Sequence, residues 1–175
     1  MVLKRIALVG SSSVGKTTVF ELLKNRFSKY EFISETTRTV KSYDFPINER
    51  GIDSTQLAIS SLHLFNLLQP HHLILDRCYL DLLVYSNRLN DISPNTKAFI
   101  RNMWEKVKGE YTHLVYFPIE FSVVDDGVRS INEEWRKEVD EEFKVELERY
   151  GRQYLTVSGS PMQRVEQITK YIDKI

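Results

Sequence analysis

One cysteine in 175 residues, Cys78, leaves nothing for a disulfide to form within the chain. A disulfide-stapled framework is excluded, and the composition suits a reducing compartment. Cys78, next to Arg77, reads as a buried small side chain. Charge of one sign is also lacking: 24 Lys and Arg balance 24 Asp and Glu. No global field therefore draws the chain to nucleic acid or to a membrane surface, although a local basic groove stays open. No run approaches the roughly 20 apolar residues that span a bilayer. The opening MVLKRIALVG is too short an apolar run for a signal peptide and leads straight into a glycine loop. His63, His71, His72 and His113 show no metal-ligand spacing with one another or with Cys78. No internal repeat, low-complexity tract or linker is present. What remains is a cytoplasmic single domain, residues 1–175, of ordinary apolar content (42%) and charge (27%).

Hydrophobic runs alternate with helical patterns. RIALV (5–9), YEFIS (30–34), HLILD (72–76), THLVYF (112–117) and QYLTV (153–157) read as five strands. A helix is expected over 15–27. Another follows Asp53 or Ser54 as a cap, with Leu57, Leu64, Phe65 and Leu68 at helical spacing, and ends before Pro70. YLDLLVYSNRL and 95–108 are helical, the latter opened by Ser93-Pro94 and closed by Gly109. Residues 41–51 read as a loop. A long charged helix carries the stripe Ile131, Trp135, Val139, Phe143, Leu147 and Tyr150; its acidic face reads as solvated, and so does Arg136, whose alternative is a second arginine, after Arg129, at the γ-phosphate. A last helix after SGSP has Val165, Ile168, Ile172 and Ile175 on one side. Such alternation predicts an α/β domain: a parallel sheet covered on both faces, with ligands beyond the carboxyl ends of the strands.

GSSSVGKT, from Gly10 to Thr17, fits G-x-x-x-x-G-K-[ST] in full, between a strand and a helix. Glycines let the backbone curl so that N–H groups converge on phosphate oxygens. The helix N-terminus adds its positive end. Gly10, Ser11, Ser12, Ser13, Val14, Gly15, Lys16, Thr17 and the following Thr18 are the candidate triphosphate-binding set, with Lys16 reaching the β and γ phosphates. Thr17 is a candidate Mg²⁺ ligand. Asp76, ending an apolar strand, is the candidate second metal residue; as a plain helix cap it has a structural alternative.

Three classes use such a cradle. A guanine-reading N-K-x-D is missing, which argues against a GTPase switch. Arg77 follows Asp76 where a remodelling ATPase has a glutamate, and such machines are longer. A kinase needs an acceptor pocket, a carboxylate for the acceptor hydroxyl and arginines for the moving phosphoryl group. ISETTR follows the second strand, so Glu35 and Arg38 are expected at the carboxyl edge of the sheet. Glu35 is the candidate general base or hydroxyl orienter, and Arg38 a candidate acceptor ligand. DRCYLD puts Arg77 and Asp81 at the same mouth. Residues 119–135 read as a lid, with Arg129 of DDGVRS placed to close over the γ-phosphate. Tyr43, Phe45 and Tyr79 are candidates to stack on an acceptor base.

Together the cradle, ISETTR, ILDRCYLD, DDGVRS and SGSPMQRV resemble the small P-loop kinase-like ATPases related to the nicotinamide riboside kinase domain, over nearly the whole chain. The similarity extends to deoxynucleoside and thymidylate kinases, which carry an acidic residue after the second strand, as at Glu35, and an acidic-Arg pair after the third, as at Asp76-Arg77. The resemblance implies a P-loop three-layer sandwich with strand order 2-3-1-4-5. It also implies an adenine site near Ser158–Pro161 on which Arg164 stacks. The lid is not arginine-rich and the second-strand motif lacks a proline-glycine run, so a hydroxyl acceptor is favoured over a monophosphate. The expectation is an ATP- and Mg²⁺-dependent phosphotransferase acting on a nucleoside-like small molecule, in a group whose members often pair as homodimers. Three alternatives stay open. One is a nucleoside monophosphate kinase gripping the acceptor phosphate with Arg38 and Arg77. Another is a kinase acting within a nucleic acid, held by a groove of Lys41, Arg50, Arg88 and Arg101. The third is a nucleotide-sensing ATPase without acceptor.

Overall fold

The structure is a computed structural model and describes residues 3–122 and 132–173. In chain order it contains β1 (Arg5–Val9), α1 (Lys16–Lys24), β2 (Glu31–Ile33), α2 (Thr36–Lys41), α3 (Asp53–Asn66), β3 (Leu73–Asp76), α4 (Tyr79–Arg88), α5 (Pro94–Val107), β4 (His113–Tyr116), α6 (Glu133–Tyr150), β5 (Leu155–Thr156) and α7 (Pro161–Asp173). Short 3-10 turns lie at Asn48–Arg50 and Lys108–Glu110.

Parallel neighbours need crossover connections, and here helices supply them. All strand pairs are parallel, in the order β2-β3-β1-β4-β5. This is the P-loop sandwich that the resemblance implied. Side chains of β1 alternate between two cores, as a period of two requires. Ile6 and Leu8 join Val19, Phe20, Val165 and Ile168 beneath α1 and α7. Ala7 and Val9 join Leu83, Ile100, Val139 and Phe143 beneath α4, α5 and α6. The chain steps from β1 out to β2, back through β3, and then across to β4. The crevice above β1 is therefore the place where the strand order reverses.

Several elements begin and end as their sequence signals predict. Ser93 caps α5, its hydroxyl accepting from Thr96 N–H at 3.3 Å with Pro94 in the first turn. Asn132 caps α6 through Trp135 N–H, and Gly151 ends that helix in the left-handed region.

Three expectations are overturned. α3 buries its polar face: Thr55, Gln56, Ser60 and His63 are inside with Ile59, while Leu57, Phe65 and Leu68 are exposed. The inward polar groups are paired, Thr55 with Pro46 O, Gln56 with Ser86 and Ser60 with Tyr79, while Leu64 of the stripe still packs against the core. Ile52, not Asp53 or Ser54, occupies the cap of α3, and the Asp53 carboxylate instead accepts from Ser93 N–H at 2.8 Å. α6 is not solvated on its whole charged face. Arg136, Asp140 and Glu146 are buried, Asp140 accepting from the Tyr116 hydroxyl and Glu146 receiving the Arg101 fork at 2.5 and 2.6 Å. Arg88 likewise pairs with Glu138 of α6. Two of the four groove candidates are thus engaged with acids. Among the described residues no helix is long and apolar enough to cross a membrane. Ile131 and Arg129 lie outside the described residues.

Candidate active site

The loop after β1 must curl within ångströms of the end of β4. Gly10 has φ 142°, and a Cβ there would stand 2.5 Å from the Phe117 carbonyl oxygen. Ser13 (φ 54°) and Gly15 (φ 85°) are also left-handed. Such turns make a concave nest of main-chain N–H groups. Gly15 is the N-cap of α1, so the positive end of a nine-residue helix adds to it. The hydroxyls of Ser11, Ser12 and Ser13 are buried without hydrogen-bond partners.

Lys16 folds over this loop, its Nζ donating to Gly10 O at 2.8 Å and Ser11 O at 2.6 Å. Burial lowers the Lys16 pKa to about 7; the Arg77 charge adds to the effect, while Asp81, Asp76 and Glu35 oppose it. The ammonium is therefore held close to its titration point beside a loop built for anions.

Thr17 and Asp76 meet, the hydroxyl donating to Asp76 Oδ2 at 2.8 Å. Asp76 Oδ1 is buried and has no hydrogen-bond partner. A hard cation takes oxygen ligands of this kind and shares them with phosphate oxygens. The residues present fit Mg²⁺ brought by a nucleotide. They do not make a protein cage: among the described residues no cluster of three or more His, Cys, Asp or Glu could hold a metal alone.

Arg77 ends β3 in a left-handed turn (φ 79°), a conformation that costs a non-glycine residue about 1–3 kcal/mol. Its side chain links both halves of the site. Nε donates to Glu35 Oε1 at 2.6 Å, while Nη1 lies 3.3 Å from Asp81 Oδ1 and 3.5 Å from Gly10 O. Glu35, Arg77 and Asp81 are each buried. Glu35 also accepts from Arg38 Nε at 3.3 Å, and the Arg38 side chain is 41% exposed. Asp81 serves the fold as well, its Oδ2 accepting from Cys78 N–H at the start of α4. Burial raises its pKa to about 6, against the pull of Arg77 and Lys16.

Behind Glu35, Arg77 and Asp81 opens a pocket lined by Thr37, Asn48, Thr55, Gln56, His63 and Tyr85, with Ile47, Ile59, Leu82 and Leu89. These residues come from α2, α3, α4 and the turn between α2 and α3. The sequence reading missed them because they sit on polar helix faces and in loops with no shared motif. The only signal is the face Thr55, Gln56, Ser60 and His63 at helical spacing. The proposed base-stacking aromatics are elsewhere: Tyr43 is exposed, Phe45 packs on the core, and Tyr79 is fully buried with its hydroxyl 2.7 Å from Ser60. Tyr85 lines the pocket instead, its ring 5.3 Å from the Arg77 guanidinium that lies over it.

A second pocket, on the other side of the loop, is lined by Ser13, Gly15, Thr18, Phe121, Gly159 and Arg164. Arg164 reaches it, but its donors are committed to Gly159 O (3.0 Å), Val14 O (2.6 Å) and Glu120 (2.8 Å). Its guanidinium lies over the rings of Phe117 and Phe121. The stacking partner of Arg164 is thus protein aromatic. Arg136, expected in solvent, is 1% exposed and bonded to the phosphate loop.

A curled loop, a lysine over it and a Thr–Asp pair beside it define a P-loop nucleotide-binding domain. The chain belongs to the AAA domain family whose model, AAA_28, matches residues 5–164. No curated protein sequence matches it. Among solved structures it is similar to the deoxyadenosine kinase of M. mycoides bound to dCMP and dCDP, at TM-score 0.75 and 16% identity over 97% of this chain and 98% of that one. It is also similar to NadR in complex with NR, at TM-score 0.79 and 17% identity over 97% of this chain. This chain spans about half of the NadR chain, 52%. The YorR protein of Bacillus subtilis, in complex with phosphorylated GDP, aligns at TM-score 0.60 and 19% identity over 98% of this chain and 96% of that one. At 16–19% identity these likenesses establish the shared P-loop kinase fold.

Proposed function

We propose that the chain is an ATP- and Mg²⁺-dependent kinase that phosphorylates a hydroxyl of a nucleoside-like small molecule. The observation that carries this reading is Arg77, which touches Glu35 at the mouth of the inner pocket and Gly10 O in the phosphate loop. A carboxylate and a phosphate cradle that share one guanidinium are arranged for transfer between two bound molecules. The bound relatives point the same way: a deoxyadenosine kinase, and NadR holding NR.

In this reading Lys16 leaves its two loop carbonyls and bonds the β and γ phosphate oxygens, with the loop amides beneath. Thr17 and Asp76 hold Mg²⁺, which neutralises charge on the phosphate oxygens. The acceptor lies in the pocket lined by Gln56, His63 and Tyr85, its hydroxyl against Glu35. The hydroxyl oxygen forms a bond to the γ-phosphorus, the bond to the ADP oxygen breaks, and the hydroxyl proton passes to Glu35. Arg77 balances the charge that moves between them. The half-exposed Phe121 ring offers the face on which the adenine stacks. Arg129 is assigned to the lid over the γ-phosphate.

The test is transfer of label from γ-labelled ATP to nucleosides, nucleoside monophosphates, nicotinamide riboside and oligonucleotides. Label is expected on a nucleoside-like hydroxyl. Transfer to a monophosphate or an oligonucleotide would replace the acceptor class. Label released only as free phosphate would leave a nucleotide-sensing ATPase. Glu35→Gln should abolish transfer and spare ATP binding; undiminished transfer would remove Glu35 from the chemistry.

A further inference from the structure

Three consecutive peptides of the phosphate loop turn their carbonyl oxygens onto two buried arginines. Arg136 Nε donates to Ser12 O at 2.8 Å, and its Nη2 to Ser13 O at 3.2 Å. Arg164 Nη1 donates to Val14 O at 2.6 Å. Both arginines are 1% exposed. They come from α6 and α7, far along the chain from the loop.

A trans peptide is planar, with its C=O and N–H pointing opposite ways. Fixing the carbonyls of residues 12, 13 and 14 outward therefore fixes the N–H groups of Ser13, Val14 and Gly15 inward. None of those three N–H groups has a hydrogen-bond partner among the described residues. Loop torsions alone do not hold this arrangement: Ser13 sits at φ 54° without being glycine. The planar fork of arginine presents its donors to two successive carbonyls in one fixed geometry, whereas a lysine ammonium is a single point charge on a flexible stem. Glu133 and Glu120 hold the outer edges of the two guanidinium groups, at 3.0 and 2.8 Å.

We propose that Arg136 and Arg164 are positioning residues for the triphosphate. They hold the loop with its amides converged before any phosphate arrives. They touch no phosphate themselves. The inference rests on the reading of this loop as an ATP cradle. It assigns Arg164 a role behind the phosphates instead of beneath the adenine, and Arg136 a role where ordinary exposure was expected.

The experiment is calorimetric titration of the full chain with MgATP and, separately, with inorganic tripolyphosphate, which probes the cradle without a base. Arg136→Lys keeps the charge and most of the volume but loses the fork. It should weaken both ligands by about ten- to a hundredfold, the scale of one or two charge-assisted hydrogen bonds. Arg136→Ala should be weaker still and should recover affinity when methylguanidinium is added. Arg88→Met breaks another anchor of α6, the bridge to Glu138, and should leave both affinities unchanged. A lowered melting temperature with unaltered affinity for tripolyphosphate would make Arg136 a structural residue and overturn the proposal. Failure of Arg136→Lys to fold would overturn it equally. If the unsubstituted chain bound neither ligand, the ATP reading itself would fall, and that outcome is distinct from a variant that binds as well as its parent.

Discussion

Lys16 offers a prediction that binding data alone can decide. In the ligand-free protein its Nζ is buried, bonds two carbonyls, and has a pKa lowered to about 7 by burial and by Arg77. Phosphate oxygens at Nζ favour the ammonium, so its pKa rises when a triphosphate binds. Below pH 7 the lysine is already charged and affinity should be flat. Above pH 7 each binding event must also protonate Lys16. At pH 8 only about a tenth of the free protein carries that charge, so MgATP should take up roughly 0.9 proton. Affinity at pH 8 should be about tenfold, ~1.4 kcal/mol, below its plateau, and should keep falling with pH. Calorimetry in HEPES and in Tris buffer measures the uptake directly, because the apparent enthalpy changes with buffer ionisation in proportion to the protons bound. Lys16→Met should lose both the uptake and most of the affinity. Uptake near zero at pH 8, or affinity that is level from pH 6.5 to 9, would refute the reasoning.

Gly10→Ala should cost about 2–4 kcal/mol of folding stability in urea, since its Cβ meets the Phe117 carbonyl oxygen at a left-handed φ. Arg77→Met strands the buried carboxylates of Glu35 and Asp81, with an expected loss of about 3–5 kcal/mol. Adding Glu35→Gln and Asp81→Asn should recover much of that loss, and no recovery would mean the arginine stabilises in another way. Burial, and then Arg77, lower the His63 pKa to about 3, so the unfolded chain binds a proton between pH 6.5 and 3 that the folded one refuses. Stability should therefore fall as pH drops through that window, by up to ~1.4 kcal/mol per unit from this group. His63→Gln should flatten the acid limb by about one proton in unfolding measured at pH 6.5 and 4.5.

The curled loop from Gly10 to Thr17 was legible because each of its residues answers a local demand. Gly10 must approach another strand, Gly15 must turn left-handed before α1, and Lys16 and Thr17 follow at fixed spacing. The strands were legible too, since a sheet covered on both faces leaves unbroken apolar runs such as those of β1 and β3. α2 was not: Thr-Thr-Arg-Thr-Val is poor in helix formers, and the segment is helical with Thr36 and Val40 buried beneath it. α3 was placed rightly and turned wrongly. Both of its faces have helical spacing, and only the neighbouring cleft makes the polar one face inward.

The sequence by itself determined the αβ alternation and the glycine-bounded loop before α1, because these depend on contacts within one strand–loop–helix unit or on strand ends that must lie side by side. Tertiary structure alone decided that Gln56, His63 and Tyr85 share a pocket with Glu35. It also decided that Arg136 and Arg164 stand behind the cradle. Those groups come from separate helices, and one-dimensional spacing holds no information about which polar face looks inward until the sheet fixes where each helix lies.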